Sequence, residues 1–255
     1  MKMIVVDLDG TLLKDDKTIS KYTFDTIKNV RKDGHKFVVA TARPLRAAKK
    51  FLEGVEIDAS IYHNGALIYM DGEKIDGFQI DGVKNIVDEI LEKYPQTSIA
   101  VESNDVLYSN FNVEHLWPGT DYIITKSYFE ELIGKKADKV IIEVSSMDDL
   151  DKYREFLSDD LYIQLSENKI GMIMKKSATK SNGIKFLASQ YGIDMDDVIC
   201  FGDDYNDIDM LTSCGLGVCM ENGVDKAKEA ADVLCDTNEN DGVAKWLNNN
   251  VLYKQ

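Results

Sequence analysis

Val5-Val6-Asp7-Leu8-Asp9-Gly10-Thr11-Leu12 is the stretch whose reading decides the fold. Met3, Ile4, Val5 and Val6 form a continuous apolar run rich in β-branched residues, the pattern of a strand buried on both faces, and the run ends abruptly in two carboxylates. In an open parallel sheet the loops leaving the carboxyl ends of the strands surround a crevice, so Asp7 and Asp9 stand where ligands bind. Two carboxylates two positions apart repel each other unless a cation or a proton separates them, which suits a hard divalent cation such as Mg²⁺. Gly10 permits the sharp exit from the strand, and Thr11 adds a hydroxyl. Taken alone, the string also fits a strand followed by a solvated Asp-Gly turn.

Working outward, Ser20 reads as the N-cap of a helix bearing Tyr22, Phe24, Ile27 and Val30, stopped at Asp33-Gly34. Phe37 to Ala40 form a second buried strand that turns polar at Thr41-Ala42-Arg43-Pro44. Strand, helix and strand within forty residues make a βαβ unit, so Thr41 emerges at the same sheet edge as Asp7. A hydroxyl and amides at a helix start suit a phosphate oxygen, whereas the plainer reading makes Thr41 an N-cap and Arg43 a surface charge. A helix from Pro44 to about Glu53 precedes the strand Ala59 to Tyr62, which ends in His63-Asn64-Gly65; Asn64 then faces the same crevice. Asp71-Gly72 between Leu67–Met70 and Lys74–Phe78 signals a hairpin.

From about Asp81 the texture changes to a helix ending at Tyr94-Pro95, strand-like runs at 98–101, 139–144, 161–165 and 170–174, and a helical pattern from Met147 to Leu157. No glycine-rich linker, repeat or low-complexity tract sets this stretch apart. The simplest account is an α/β protein with a Rossmann-like, doubly wound parallel core at 1–80 and 176–255 and an inserted α/β domain at 81–175. In the resumed core a helix spans Ser181 to Tyr191 behind Lys180. The strand Val198 to Phe201 then ends in Gly202-Asp203-Asp204-Tyr205-Asn206-Asp207, whose crowded carboxylates again require a cation.

The chain has 255 residues, 44% of them hydrophobic, and a net charge of −15, which disfavours nucleic acid and anionic membranes as partners. No apolar run approaches the ~18 residues of a membrane span and no signal-type segment opens the chain, so a cytoplasmic location is expected. Cys200, Cys214, Cys219 and Cys235 match no metal or redox spacing and read as reduced, buried thiols. His35, His63 and His115 read as structural. Oligomeric state is not legible.

Asp7-Leu8-Asp9-Gly10-Thr11-Leu12 resembles the first motif of the haloacid dehalogenase superfamily, Thr41-Ala42-Arg43 its second, and Lys180 falls at the third-motif lysine. Gly202-Asp203-Asp204-Tyr205-Asn206-Asp207-Ile208-Asp209-Met210-Leu211 resembles the fourth motif of the Cof-like phosphatases with a large α/β cap (type IIB). The resemblance continues through Gly215-Leu216-Gly217-Val218 and Asn238-Glu239-Asn240-Asp241-Gly242-Val243. Departures are slight: Asp204 fills a variable position, and Ser181-Asn182-Gly183 stands where the family often has Lys-Gly directly.

The resemblance implies a Mg²⁺-dependent phosphatase acting on small phosphorylated metabolites such as sugar phosphates or phosphorylated cofactors. Asp7 would be the nucleophile and Asp9 the general acid and base. The metal would be held by the Asp7 carboxylate, the Asp9 carbonyl and Asp203, with Asp207 one layer out, orienting water or Lys180. Thr41, Ala42, the Leu8 amide, Lys180 and Asn206 would hold the phosphoryl group, and Arg43 and Asn64 would meet the substrate. Trp117, Tyr108, Tyr122, Tyr128, Tyr162, His115 and Lys126 are on hand in the inserted domain to meet a leaving group. A dehalogenase needs no metal, which retention of Asp9 and Asp203 argues against. A phosphomutase must grip a second phosphate, and Arg154 is the one arginine between Asp81 and Met174. A catalytically silent phospholigand-binding regulator would normally lose a nucleophile or metal ligand, and both are retained.

Overall fold

The computed structural model describes residues 1–125, 128–144, 146, 148–166 and 169–252, with only the backbone at 148. Lys126 and Met147, named above, lie outside the described residues. The chain divides into two compact units, Met1–Gly77 with Thr179–Gln255, and Phe78–Ala178. The junctions lie three residues from those expected. Ile80 exchanges backbone hydrogen bonds with Ala137 at 2.7 and 3.0 Å, and Lys176 donates to the Asp160 carbonyl at 2.7 Å, which ties both flanks to the inserted unit.

The first unit opens with β1 (Met3–Val6), α1 (Lys21–Lys32), β2 (Lys36–Ala40), α2 (Leu45–Lys49), β3 (Ala59–Tyr62), β4 (Leu67–Met70) and β5 (Glu73–Asp76). Every residue of β1 is buried, as a continuous apolar run requires, each side chain contributing about 1.5–3 kcal/mol. Ser20 caps α1, its hydroxyl accepting from Thr23 N at 3.1 Å. The buried face of α1 is Thr23, Thr26, Ile27 and Val30, while Tyr22 is exposed. Thr26 reaches the core because its hydroxyl donates to Tyr22 O at 2.9 Å, satisfying the polar atom locally. α2 is shorter than Pro44 to Glu53, since bonds from Phe51 N to Ala48 O and from Leu52 N to Lys49 O tighten the chain into turns.

The inserted unit holds α3 (Val83–Lys93), β6 (Ile99–Ser103), β7 (Val106–Ser109), β8 (Ile123–Ile124), β9 (Lys139–Glu143), α4 (Asp148–Asp151), β10 (Leu161–Ser166) and β11 (Ile170–Lys175). Its six strands run β10-β11-β9-β6-β7-β8, antiparallel except at β7–β8. The helical pattern expected to Leu157 is one α-turn and a 3₁₀ turn at Arg154–Phe156. Val83, Val87, Ile90 and Leu91 of α3 pack with Ile99, Val101 and Val140, while Ala100, Leu107, Ile141 and Ile170 form a second cluster joined by Phe111, Trp117 and Tyr122. Tyr108 is buried and accepts from Lys135 Nζ at 2.8 Å, so it is a core residue rather than a free aromatic surface.

The first unit resumes with α5 (Lys180–Tyr191), β12 (Val198–Gly202), α6 (Ile208–Ser213), β13 (Leu216–Met220), α7 (Asp225–Ala230), β14 (Val233–Cys235) and α8 (Gly242–Leu247). Its eight strands run β14-β13-β12-β1-β2-β3-β4-β5, parallel from β14 to β3 and antiparallel across β3–β4 and β4–β5. β1 is central, with Val6 level with Phe201 on one side and Val39 on the other. Cys200 and Cys214 form a disulfide with Cα atoms 6.4 Å apart, where four reduced thiols were expected; α6 packs back on β12 and brings its end over that strand. Cys219 and Cys235 are free and buried. Among the described residues no helix is long and apolar enough to cross a membrane.

Candidate active site

Three adjacent parallel strands, β12, β1 and β2, end side by side, and their next residues are Asp203, Asp7 and Thr41. Asp7 continues the β1 ladder, its amide donating to Phe201 O at 3.0 Å, and is buried. Lys180 reaches it from the first turn of α5, a helix capped by Thr179, whose hydroxyl accepts from Asn182 N at 3.1 Å. The Lys180 ammonium is fully buried and donates to Asp7 Oδ1 and Asp207 Oδ1, both at 2.6 Å.

The acidic loop after β12 folds around Asp207. Its Oδ2 accepts from Asp203 N at 3.0 Å and Asp204 N at 3.1 Å, a capping box with Asp204. Both Asp207 oxygens are thus committed to protein donors. Asp203 instead uses Oδ1 to accept from the Thr11 hydroxyl at 2.7 Å. Gly10, at φ +77°, leaves the space Asp203 occupies, for a β-carbon there would lie 2.3 Å from its carboxylate oxygen. Asn222 Nδ2 holds the Gly10 carbonyl at 2.8 Å.

One carboxylate oxygen each of Asp7, Asp203 and Asp207 lies within 4.8 Å of the others. Burial pushes the Asp7 carboxyl up, and Asp207 and Asp203 push it further, against the pull of Lys180. Burial alone would lower Lys180, but Asp7 and Asp207 outweigh it and raise its affinity for a proton. Burial likewise lifts Asp203 to about 6, with Asp207 and Asp204 adding to the rise against the Thr11 hydrogen bond. Three carboxylates sharing one ammonium leave negative charge uncompensated, and their hard oxygen donors fit a small divalent cation.

A second network lies beside the first. Burial would raise Asp9, but hydrogen bonds from Arg43 and Lys17 more than offset it and hold the carboxyl at about 2. Arg43 spans both Asp9 oxygens, at 2.5 and 2.7 Å. Thr41 is buried, its hydroxyl accepting from Arg43 N at 3.2 Å and its carbonyl from Asn64 N at 3.0 Å. Asn206 is exposed and donates to Asn64 Oδ1 at 3.2 Å. Leu8 is a core side chain, and Ala42 is exposed in the loop after β2. The Asp9 side chain does not join the acidic cluster; it turns to the cations.

Sequence reasoning missed Lys17 and Asn222. Neither has a periodic or motif signature, and each is recognised only by what the folded loop brings it to. Of the histidines, His35 Nδ1 accepts from Lys2 N at 3.0 Å, His115 Nε2 lies 2.7 Å from Glu143 Oε1, and His63 is buried just after β3.

Residues 4–247 match the model of the haloacid dehalogenase-like hydrolases. The chain is 33% identical over 261 residues to the 5-amino-6-(5-phospho-D-ribitylamino)uracil phosphatase YitU of Bacillus subtilis, covering 96% of each chain. It is 28% identical to a second B. subtilis phosphatase of that name, YcsE, covering 99% of this chain and 96% of the relative. Among solved structures, a crystallised protein of Thermotoga maritima superposes with a TM-score of 0.84 at 27% identity, covering 97% of both chains. With the acidic strand ends, the buried lysine and the doubly wound sheet, these likenesses lead to one conclusion: the chain belongs to the haloacid dehalogenase-like hydrolase family, as one of its phosphatases.

Proposed function

We propose that this phosphatase hydrolyses small organic phosphate monoesters with Mg²⁺ as cofactor and a phosphoryl group carried transiently on Asp7. The observation that supports it most is the cluster that Asp7 and Asp203, at adjacent strand ends, form with Asp207 around the buried Lys180 ammonium, with more carboxylate than ammonium. Asp7, the Asp9 carbonyl and Asp203 would hold the metal. Asp207, whose oxygens are occupied by Lys180 and two amides, would brace the site. When bound, Mg²⁺ would neutralise charge on the phosphoryl oxygens and align them.

The residues divide the remaining work. An Asp7 oxygen attacks phosphorus as the ester P–O bond breaks, turning one hard displacement into two easier ones. Asp9, ionised while Arg43 and Lys17 hold it, takes up a proton from solvent as the substrate dianion draws Arg43 away and gives it to the leaving alkoxide; as a carboxylate it then takes one from the water that releases phosphate and restores Asp7. Lys180, Thr41, Ala42, Asn206 and the Leu8 amide hold the phosphoryl oxygens, fixed charges that act strongly because the site is buried. Arg43 and Asn64 contact the substrate. The inserted unit at 78–178 sorts leaving groups as a cap.

The relatives' names inform the substrate class. YitU and YcsE are named for a phosphorylated sugar alcohol borne on a uracil, which falls within the sugar phosphates and phosphorylated cofactors proposed for this chain. A phosphomutase is disfavoured because Arg154 is exposed and paired with Asp151 at 2.9 Å on its own turn. A phosphate-release screen over phosphometabolites, including ribityl phosphates, tests the reading. Release that stops with EDTA and returns with Mg²⁺ is expected; metal-indifferent release would overturn it.

A further inference from the structure

The loop after Asp9 carries a lysine that the chemistry above does not use. Lys14 N donates to Thr18 O at 3.0 Å and Lys17 N to Lys14 O at 2.9 Å, closing a three-residue loop of Asp15, Asp16 and Lys17. In such loops the third residue takes the left-handed conformation, and glycine is its usual occupant. Here that residue is Lys17 at φ +66°, a backbone that is strained for any side chain with a β-carbon.

The surroundings hold the strained residue in place. Asp16 Oδ1 accepts from Thr18 N at 2.9 Å and Thr18 Oγ1 at 2.6 Å. Asp15 N donates to Glu239 Oε1 at 2.6 Å, and Asn238 Nδ2 donates to Leu13 O at 3.0 Å and Asp15 Oδ1 at 3.1 Å. The two carboxylates nearest Lys17 in sequence are therefore engaged elsewhere. Lys17 Nζ reaches back to Asp9 Oδ1 at 2.8 Å. An exposed ion pair is ordinarily worth little, so electrostatic stability alone does not explain keeping a lysine where glycine fits better.

The geometry points to Lys17 as a positioning residue for Asp9, an inference that rests on the reading of Asp9 as acid and base. Arg43 contacts both Asp9 oxygens, whereas Lys17 contacts Oδ1 alone. When an arriving phosphate dianion draws the Arg43 guanidinium onto itself, Oδ2 is freed for proton transfer while Lys17 keeps Oδ1, and with it the whole carboxyl group, in place.

The test is Lys17→Gly, which suits the backbone and removes the side chain with its ammonium, assayed beside Lys17→Arg and Asp9→Asn. Two substrates are compared by kcat/KM: p-nitrophenyl phosphate, whose leaving group needs little protonation, and an alkyl phosphate, whose leaving group needs an acid. K17G is expected to melt at or above the wild-type temperature and to lose about tenfold on the alkyl ester, part of the 10²–10⁴ a placed acid supplies. Its kcat/KM on the p-nitrophenyl ester should change less than about twofold, since that leaving group asks little of the acid, and K17R should recover most of the loss. Unchanged or equally reduced values on both substrates, or no recovery in K17R, overturn the inference. If D9N loses alkyl turnover while K17G keeps it, Lys17 is dismissed and Asp9 stands; a fully active D9N removes both.

Discussion

Replacing Lys180 with methionine tests the electrostatics of the site apart from its chemistry. The ammonium is fully buried and lies 2.6 Å from both Asp7 and Asp207, so the variant leaves two carboxylates facing each other without their counter-ion. Breaking a buried pair by deleting one partner costs about 3–5 kcal/mol, mostly the penalty of the charge left behind. At about 2–4 °C per kcal/mol for a chain of this size, the melting temperature in EDTA should fall by roughly 6–20 °C. Mg²⁺ should then act as a substitute counter-ion. A cation at a hundred times its Kd contributes about 2.7 kcal/mol, and the variant, with one positive charge fewer in the site, should gain more from it than the wild type. Differential scanning calorimetry of both proteins, with EDTA and across a Mg²⁺ series, reads both effects. An unchanged melting temperature, or a Mg²⁺ response no larger than that of the wild type, would refute this charge balance.

Other expectations follow from other parts of the core. Gly10→Ala places a β-carbon 2.3 Å from the Asp203 carboxylate at a φ of +77°, so Asp203 must move; Mg²⁺ affinity by titration calorimetry should weaken at least about tenfold, as for disturbed metal-site support. Asp58 would be raised by burial, but hydrogen bonds from Arg31, Phe37 N and Lys36 outweigh that and hold it below the usual carboxylate range. A depressed carboxyl stabilises the fold above its unfolded value near pH 3.9, and that contribution fades as acid reaches the folded value. Asp58→Asn should therefore cost about 2 kcal/mol at pH 7 in chemical denaturation, and the difference from wild type should shrink below about pH 4.

What could be read from the chain and what could not divide along physical lines. The strand ends at Asp7, Thr41, Asn64 and Asp203 were legible because a short apolar run stopped by a carboxylate, hydroxyl or amide marks both a buried strand and its exit. Lys180 was placed by family resemblance; alone before a helix it looks like a solvated charge, and only the fold shows it buried. β7 escaped notice because Val106 to Ser109 is four residues between turns, too short for alternation to register. The pattern from 147 to 157 suggested a longer helix than forms, since the chain there breaks into a 3₁₀ turn after Asp151. The pairing of Cys200 with Cys214 depends on the path of α6 back over β12, a tertiary matter. Lys17 reaches Asp9 through the conformation of its loop, which the side-chain pattern does not announce.

The proposed reaction requires the Asp7 carboxylate to form a bond to phosphorus. Rapid acid quenching during turnover of a phosphate monoester with Mg²⁺, followed by mass spectrometry of the peptide bearing Asp7, tests it most directly. A phosphoryl group on Asp7, absent in Asp7→Asn together with turnover, is the predicted result. Full turnover by Asp7→Asn, with no phosphoryl group on the protein, would contradict it.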